Sequence, residues 1–340
     1  MRRRQENFTG KVVVITGASA GVGRATAIAF ARAGAHLALM ARDARALDKT
    51  RQEVEAAGGS AQVFPLDVSD AHAVSVAAAK CEAALGPIDI WVNNAMVTVF
   101  SKVEDLTAEE VEAVTATTYL GYVHGTMAAL NSMRPRGRGL IIQVGSALAY
   151  RGIPLQAAYC GAKHAIRGFT DSLRAELIAD DCGVQITALH LPAINTPQFD
   201  WARSHRKRLP RPVAPVYEPE VAAEAILHAA RRPAREYWLG SKTPLLIMAN
   251  TLFPALIDRQ LAAEAVTGQD RPRSRLPGRK DNLESPVPGG HGVRGAFGRE
   301  AKPRAMIVSE TRIRAGCAIG GGLLLLAAGI GLGRYFLQQR

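Results

Sequence analysis

The sequence predicts an α/β protein with a single domain built on a doubly wound parallel sheet. Short apolar runs rich in β-branched residues alternate with helical patterns of about 10–25 residues, the order expected of βαβ units. Most of these runs are apolar throughout, as in strands that are buried on both faces. Right-handed crossovers then place helices on both faces of the sheet.

The chain reads as seven strands separated by helices. The strands fall at 11–16 (KVVVIT), 36–41 (HLALMA), 61–68 (AQVFPLDV), 88–95 (IDIWVNNA), 139–146 (GLIIQVGS), 184–192 (VQITALHLP) and, as a candidate last strand, 236–240 (EYWLG). The first helix follows a glycine-rich loop and ends at about Ala33, and the second runs through Leu47 to Ala57. The other helices fall at 73–85, 108–133, 159–178 and 218–232. These elements, with the segment that follows them, predict a folded domain over residues 8–262.

Two stretches of this domain depart from the strand–helix pattern. Residues 197–218 are rich in Pro and Arg, and we interpret them as a long loop on the substrate side of the ligand crevice. Residues 244–261 (PLLIMANTLFPALIDRQL) are unusually apolar. They fit a core helix, an interface or a membrane-contacting surface, and we favour a core helix or an interface.

Residues 268–311 form a basic, Pro/Gly-rich segment without periodicity, which predicts a disordered linker. Residues 268–314 contain eleven Lys or Arg and five acidic residues, so they carry half of the net charge of +12. This excess suits a solvated tail, a membrane surface or nucleic acid. Because the sequence has no nucleic-acid-binding motif, we predict no nucleic-acid partner.

Residues 315–333 (AGCAIGGGLLLLAAGIGLG) contain no charge and are flanked by arginines. As a helix they would be ~28 Å long, close to the ~30 Å hydrocarbon core of a bilayer. We predict a C-terminal transmembrane helix, with a low-complexity tail as the alternative. The positive charge on its N-terminal side predicts a membrane-anchored protein whose folded domain lies in the cytoplasm; without the anchor, a cytoplasmic protein is expected.

The cysteines and histidines do not point to a metal or a disulfide framework. The four cysteines are far apart, and the eight histidines do not cluster at ligand spacing. We therefore predict no metal site.

The stretch TGASAGVG, residues 16–23, follows the first strand and opens a helix. Gly17 permits the sharp turn, while Gly21 and Gly23 let the backbone approach a pyrophosphate at the helix N-terminus. At the end of the second strand, Ala41 stands where a carboxylate would bind a ribose 2′-hydroxyl, and Arg42 follows it. A missing carboxylate with an adjacent guanidinium suits a 2′-phosphate, which favours NADP(H) over NAD(H). A surface arginine is the alternative, and the neighbouring Asp43 weakens the case a little.

Ser146 ends the fifth strand, with Tyr159 thirteen residues later and Lys163 one helical turn beyond it. A nearby ammonium stabilises a phenolate and lowers the ordinary tyrosine pKa of ~10. A serine hydroxyl donates a hydrogen bond to a carbonyl oxygen on which charge develops. The trio suits hydride transfer to a ketone or aldehyde, or the reverse oxidation of an alcohol.

These motifs resemble those of the short-chain dehydrogenase/reductase family over about residues 8–240. TGASAGVG resembles the family's cofactor loop, NNAM at 93–96 its N-N-A-G, and LPAINTP its loop after strand six; Ser146 with Tyr159-x-x-x-Lys163 matches its catalytic pattern. The resemblance implies a Rossmann-like catalytic domain and a homodimer. It implies that Tyr159 is the general acid/base, that Lys163 also binds the nicotinamide ribose, and that Ser146 positions the carbonyl. Together with the glycine-rich loop and Arg42, the resemblance implies a set of cofactor-binding residues: Gly17, Ser19, Gly21, Val22, Gly23, Arg42, Asp67, Val68, Asn94, Ala95, Tyr159, Lys163 and Thr196.

Three positions depart from the family pattern. Met96 and Ala193 each replace a glycine, and Thr118 replaces an asparagine that holds a proton-relay water. We predict that Thr118 is a catalytic residue whose hydroxyl orients that water. The sequence thus predicts an NADP-dependent oxidoreductase acting on a small, possibly lipophilic carbonyl or alcohol substrate. The alternative is a membrane-tethered NADP-binding regulatory or scaffold protein with little turnover.

Overall fold

The computed structural model describes residues 8–274, 278–289, 292–313 and 315–316. The strands of the described chain are β1 Val12–Thr16, β2 His36–Ala41, β3 Ser60–Pro65, β4 Ile88–Asn93, β5 Val99–Phe100, β6 Gly139–Ser146, β7 Val184–Leu191, β8 Ala193–Ile194, β9 Arg203–Ser204, β10 Arg208–Pro210, β11 Val216–Tyr217, β12 Glu236–Leu239, β13 Asp270–Ser274 and β14 Ile307–Ser309. The helices are α1 Gly21–Arg32, α2 Ala44–Ala56, α3 Ala71–Leu85, α4 Ala108–Thr115, α5 Gly121–Met133, α6 Ala157–Ala179, α7 Gln198–Trp201, α8 Pro219–Arg231, α9 Lys242–Leu252 and α10 Pro254–Gly268.

The main sheet has the order β14-β12-β7-β6-β4-β1-β2-β3. All neighbours pair in parallel except β14, which runs antiparallel to β12 at the edge. The strand order reverses direction at β1, so the crevice at the carboxyl ends of β1 and β4 is the expected place for a ligand. The predicted doubly wound, Rossmann-like sheet is confirmed.

Alternating side chains of the central strands bury the two faces of the sheet. In β1, Val13 and Ile15 join the cluster under α1, α2 and α8, whereas Val12 and Val14 join the cluster under α3, α5 and α6. Because both faces are covered, the strands are apolar at every position, and this is why they were recognisable as strands.

The helix predicted over 108–133 is interrupted. Its middle, Ala116–Leu120, is a π-helical turn between α4 and α5. The hydroxyl of Thr118 accepts from the backbone N–H of Val97 and donates to its carbonyl, and a Cβ on Gly121 would lie 2.6 Å from the Val68 side chain. Tertiary contacts with the segments that follow β3 and β4 therefore set the position of the extra residue in this turn.

The apolar stretch 244–261 is not a core helix. It forms α9 and α10, which bury few residues and expose Leu245, Leu252, Phe253 and Leu256 by 60–66% each. Of the two preferred interpretations, the core helix is wrong, and the interface stays a prediction.

The prediction of a disordered linker is wrong for the described part of residues 268–311. β13 pairs with β10, and β14 extends the main sheet. Between them, residues 278–289 and 292–302, which we call the strap, lie across the crevice. Leu283 and Phe297 anchor the strap in separate apolar clusters, with exposures of 2% and 6%. Two isolated apolar anchors in a basic, Pro/Gly-rich stretch produce no periodicity, so composition alone pointed to disorder.

In the part of the chain that the structure describes, no helix has the length and hydropathy to cross a bilayer. The transmembrane helix predicted over 315–333 lies outside the described residues from position 317 onward.

Candidate active site

A cavity of about 1140 Å³ follows the carboxyl ends of the parallel strands and continues beneath the strap. Most of the predicted site residues lie on its wall. These are Gly17, Ser19, Gly21, Val22, Arg42, Asp67, Val68, Asn94, Ala95, Ser146, Tyr159, Lys163 and Thr196. Of the described residues that were predicted for the site, Gly23 and Thr118 are not part of this lining.

The glycine-rich loop joins β1 to α1. Gly17 and Gly21 have φ angles of +66° and +54°, in the left-handed region that favours glycine. A Cβ on Gly23 would lie 2.2 Å from the carbonyl oxygen of Gly17, which excludes any other residue. Ala20 provides no side-chain cap for α1, and the N–H of Gly21 donates to the carbonyl oxygen of Gly292, so the first turn offers the N–H groups of Val22 and Gly23 to an anion. This narrow backbone cradle fits a dinucleotide phosphate.

Asn94 braces the loop from the end of β4. Its Nδ2 donates to the carbonyl oxygen of Thr16 over 3.0 Å, while the Thr16 hydroxyl accepts from the backbone N–H of Asn94 and Ala95 at 2.9 and 3.1 Å. A Cβ on Gly17 would lie 2.8 Å from the Cα of Ala95. Asn94 and Ala95 therefore shape the cradle as well as lining it.

Arg42 follows β2 and lines the cavity on the other side of β1 from β6, the strand that ends at Ser146. Its guanidinium is held by the strap. Its Nη1 donates to the carbonyl oxygens of Leu283 and Glu284 at 3.0 and 3.1 Å, and its Nη2 donates to that of Asn282. Burial lowers the pKa of Arg42 from its ordinary value, and Asp67, 3.8 Å away, opposes this shift. The arginine is thus a fixed cation in the cavity wall.

The acidic residues next to Arg42 have structural partners. Asp43 caps α2 by accepting from the backbone N–H groups of Arg45 and Ala46, and Asp67 accepts from the backbone and hydroxyl of Ser69. Asp43 is therefore engaged as a helix cap through its Oδ1.

Ser146 ends β6 beside Leu191 of β7. Its hydroxyl accepts from the backbone N–H of Leu148 over 3.1 Å, and it is 8% exposed, on the cavity wall. Tyr159 lies on the same wall, one turn into α6. Burial raises the pKa of Tyr159 well above its ordinary value, and a hydrogen bond with the Ser146 hydroxyl opposes this rise. The phenol therefore keeps its proton at neutral pH.

Lys163 is 2% exposed and donates two hydrogen bonds. Its Nζ reaches the hydroxyl of Tyr122 at 3.0 Å and the carbonyl oxygen of Val144 at 2.9 Å, and it lies 5.6 Å from the ring centre of Tyr159. Burial lowers the pKa of Lys163 to about 7. The third N–H of the ammonium remains for a ligand in the cavity.

Tyr122 was not predicted from the sequence. It is 1% exposed, and its hydroxyl donates to the carbonyl oxygen of Val144 over 2.8 Å while accepting from Lys163. The signal that would have identified it is its position one turn after Thr118 on the long helix, on the side that meets Lys163.

Thr118 is not brought to the reacting groups. It is fully buried, and its single hydroxyl proton is donated to the carbonyl oxygen of Val97 at 2.9 Å. The neighbouring Thr117 lines the cavity instead. The π-helical turn directs Thr118 toward the backbone after β4, so its prediction as a catalytic, water-orienting residue is not supported.

A buried polar network lies behind Ser146. Nδ1 of His190 donates to the carbonyl oxygen of Ser146 at 3.0 Å, and its Nε2 lies 3.4 Å from Glu236, which also accepts from the Tyr150 hydroxyl and from Trp238. Burial alone would raise the pKa of Glu236, but hydrogen bonds led by His190 outweigh it and lower that pKa to about 2. The network fixes the end of β6 from the side away from the cavity.

The remaining wall of the cavity is mostly apolar. It comes from the loop 197–218 and from helices α9 and α10, as the sequence predicted for the loop. Its apolar lining residues include Phe199, Pro212, Val213, Leu245, Leu246, Ala249, Ile257 and Leu261, and its polar lining residues include Arg211, Lys242, Gln260 and Glu264. Met96, next to Ala95 in the chain, also lines the cavity.

The described residues contain no group of three or more His, Cys, Asp or Glu side chains that would hold a metal ion.

Comparison with known proteins agrees with this geometry. The chain matches a family model described as short chain dehydrogenase over residues 11–207. It is 38% identical over 251 residues to the uncharacterized oxidoreductase YxnA of Bacillus subtilis, covering 73% of this chain and 70% of that protein. It is 30% identical over 234 residues to a fatty acyl-CoA reductase of Acinetobacter baylyi, covering 68% and 77% of the two.

Among solved structures, an alcohol dehydrogenase from the archaeon Thermococcus sibiricus, complexed with 5-hydroxy-NADP, matches with a TM-score of 0.58 and 30% identity over 67% of this chain and 95% of that one. The family model covers more than half of the chain, and its motifs meet in one cavity. The protein therefore belongs to the short-chain dehydrogenase/reductase family, as an oxidoreductase that acts on CH–OH or C=O groups and uses a nicotinamide dinucleotide.

Proposed function

We propose that this protein is an NADP-dependent carbonyl reductase or alcohol dehydrogenase with a lipophilic substrate, in which Tyr159 is the general acid/base. The observation that carries the proposal is the position of Ser146, Tyr159 and Lys163 on one wall of a cavity that continues to the glycine-rich loop. A nicotinamide bound there would supply or accept the hydride at the substrate carbon.

In the reductive direction, Tyr159 gives its proton to the substrate oxygen as the carbonyl becomes an alkoxide. The raised pKa of Tyr159 keeps that proton in place until the developing alkoxide accepts it. The ammonium of Lys163 stabilises the phenolate that remains, and the Ser146 hydroxyl donates to the same substrate oxygen. In the oxidative direction the phenolate takes the proton back.

The preference for NADP(H) rests on Arg42. A guanidinium is suited to a 2′-phosphate, and the carboxylate beside it, Asp43, is engaged as a helix cap. The residues that would hold the dinucleotide are those of the glycine-rich loop, Arg42, Asp67, Val68, Asn94, Ala95, Lys163 and Thr196.

The lipophilic substrate is supported by the apolar wall from α9 and α10. Leu245 lines the cavity and is also 66% exposed, so the apolar surface continues from the cavity to the outside of the protein. The similarity to a fatty acyl-CoA reductase points in the same direction. Long-chain aldehydes and ketones are therefore the first substrates to test.

The test is NADPH oxidation with aldehydes and ketones of increasing chain length, comparing wild type with Tyr159→Phe. The control is Tyr119→Phe, because Tyr119 lies in the π-helical turn away from the cavity wall. We expect Tyr159→Phe to lose turnover and the control to retain it. Equal turnover by wild type and Tyr159→Phe would refute the mechanism, and tight NADPH binding with no turnover of any carbonyl would favour the scaffold alternative.

Assembly and membrane attachment follow as two further proposals. Exposed apolar side chains on the helices after β4 and β6, Met127 at 56% and Ile178 at 75%, support a homodimer through these helices. Light scattering of the purified protein should give twice the 36.2 kDa chain mass; a monomer would contradict the homodimer.

The uncharged stretch 315–333 supports membrane attachment. Deleting residues 312–340 should move the protein from the membrane to the soluble fraction.

A further inference from the structure

The strap contacts three separate parts of the dinucleotide crevice. Its carbonyls at residues 282–284 accept from Arg42, the carbonyl oxygen of Gly292 accepts from the backbone N–H of Gly21 at 3.2 Å, and Gly295 donates to the carbonyl oxygen of Asn195 at 3.0 Å. The strap thus runs from the arginine to the glycine-rich loop and on to the loop after β7.

We propose that the strap is a part of the cofactor site: it clamps the dinucleotide and positions Arg42 to bind the 2′-phosphate of NADP(H). This inference rests on the proposed function, because it concerns the same arginine and the same ligand. It assigns a cofactor-binding role to a segment that lies beyond the residues matched by the family model.

The strap holds the guanidinium of Arg42 through three carbonyl oxygens. The strap carbonyls take three of the five N–H groups of the guanidinium and hold it from one side. The side chain remains part of the cavity wall, so its other N–H groups are available to a ligand. Three backbone acceptors restrict the rotamers of a long side chain, which reduces the entropy that binding a phosphate would cost.

The strap also forms part of the cavity wall. Asn282, Pro286 and Val287 of the strap line the same cavity as Asp67, Val68 and the glycine-rich loop. Space therefore remains between the strap and the adenosine end of the crevice. The strap forms a wall of that space, and a dinucleotide bound within it would be covered by the strap.

The docking of the strap is specific. Asn195 is fully buried, and its Oδ1 accepts from the backbone N–H of Phe297 at 2.9 Å while its Nδ2 donates to Glu218 at 3.1 Å. A Cβ on Gly295 would lie 2.4 Å from the carbonyl oxygen of Thr196. Asp281 and Glu284 pair with Arg203 at 3.0 and 3.1 Å. Hydrogen bonds, ion pairs and apolar anchors thus hold the strap along its described length.

Two glycines of the strap provide a matched pair of variants. Gly295→Ala places a methyl group against the Thr196 carbonyl and should displace the strap, and it replaces no side chain of the cavity lining. In Gly298→Ala the nearest atoms lie 4.0 Å from the new Cβ, so the strap should stay in place. Both changes add the same methyl group three residues apart.

The experiment measures dissociation constants of NADPH and NADH by fluorescence titration, without substrate, for wild type and both variants. We expect Gly295→Ala to weaken NADPH binding about tenfold, the size of one charge-assisted contact, to weaken NADH binding much less, and to leave the fold unchanged by circular dichroism. Gly298→Ala should bind both nucleotides as wild type does. Hydrogen exchange of residues 281–289 should slow when NADPH is added to wild type and less so in Gly295→Ala.

The outcomes separate the strap from the proposed function. Wild-type NADPH affinity in Gly295→Ala, tighter binding by it, or equal weakening of NADPH and NADH would overturn the assignment while leaving the proposed NADP dependence intact. Leu283→Ala removes the apolar side chain that anchors the strap beside its contacts with Arg42, and it should reproduce the selective loss. Its failure to do so would also count against the strap. Wild-type protein that binds neither nucleotide would overturn the proposed function itself.

Discussion

The two ends of the cavity differ in how their key cations are held. Lys163 is almost fully buried among apolar residues, and its partners are two neutral oxygens, from Tyr122 and Val144. Arg42 is only partly buried and is held by carbonyls of the strap, some 240 residues away along the chain. Burial lowers the pKa of Lys163 to about 7, whereas a guanidinium stays charged at neutral pH. Under the proposed function, the lysine would serve proton chemistry and the arginine would serve cofactor recognition.

The largest effect is expected at the buried end. Lys163→Met keeps the length of the side chain but removes the ammonium that stabilises the Tyr159 phenolate. We expect kcat/KM for carbonyl reduction to fall by about 10²–10⁴-fold, the usual contribution of a general acid/base system. Lys49→Met, on the exposed side of α2 and outside the cavity lining, should have little effect on the reaction. A Lys163→Met enzyme within a factor of about ten of wild type would show that the phenolate needs no ammonium.

At the other end, Arg42→Gln should act on cofactor choice and spare the chemical step. We expect the dissociation constant for NADPH to rise about 10–100-fold, because a charge-assisted phosphate contact is lost, while the constant for NADH changes far less. Arg45→Gln, on the exposed side of α2, is the matched control. If NADPH and NADH weaken together, Arg42 does not read the 2′-phosphate.

A smaller effect is expected from Tyr122→Phe, which removes one acceptor from Lys163. Losing that acceptor disfavours the charged lysine, so its pKa should fall below the value of about 7. The reductive kcat/KM, which decreases as the ammonium is lost at rising pH, should therefore begin to decrease at lower pH. We expect a loss of about tenfold at pH 7, with the profile of Tyr119→Phe unchanged. An unshifted pH profile in Tyr122→Phe would remove Tyr122 from the proton chemistry.

The smallest effect on turnover is expected at Glu236, which is not part of the cavity lining and acts on stability. The folded-state pKa of Glu236, about 2, lies below its unfolded value, so the carboxylate stabilises the fold above pH ~4.3 and loses this contribution as pH falls toward 2. Glu236→Gln should lower the free energy of unfolding by about 1–3 kcal/mol at pH 7, and the difference from wild type should shrink on acidification. Glu224→Gln, on the exposed side of α8, should be neutral. A constant difference down to pH 2 would contradict this assignment of charge.

The strands, the cofactor loop and the Ser146–Tyr159–Lys163 trio were predictable because each has a local signal. Buried strands are apolar at every position, and the catalytic spacing lies within one strand–loop–helix unit. The strap, Tyr122 and Asn195 were not predictable, since their roles arise from contacts between distant segments. Thr118 shows the reverse case. It was predicted from its position in the sequence, but in the π-helical turn its hydroxyl donates to the carbonyl oxygen of Val97.

The most direct test of the account is a crystal structure of the full chain with NADP⁺ and a long-chain alcohol. We expect the 2′-phosphate to contact Arg42 beneath the strap, and the substrate oxygen to lie ~2.6–3.2 Å from the hydroxyls of Tyr159 and Ser146. A dinucleotide bound with the strap displaced, or a substrate oxygen out of reach of Tyr159, would contradict the account.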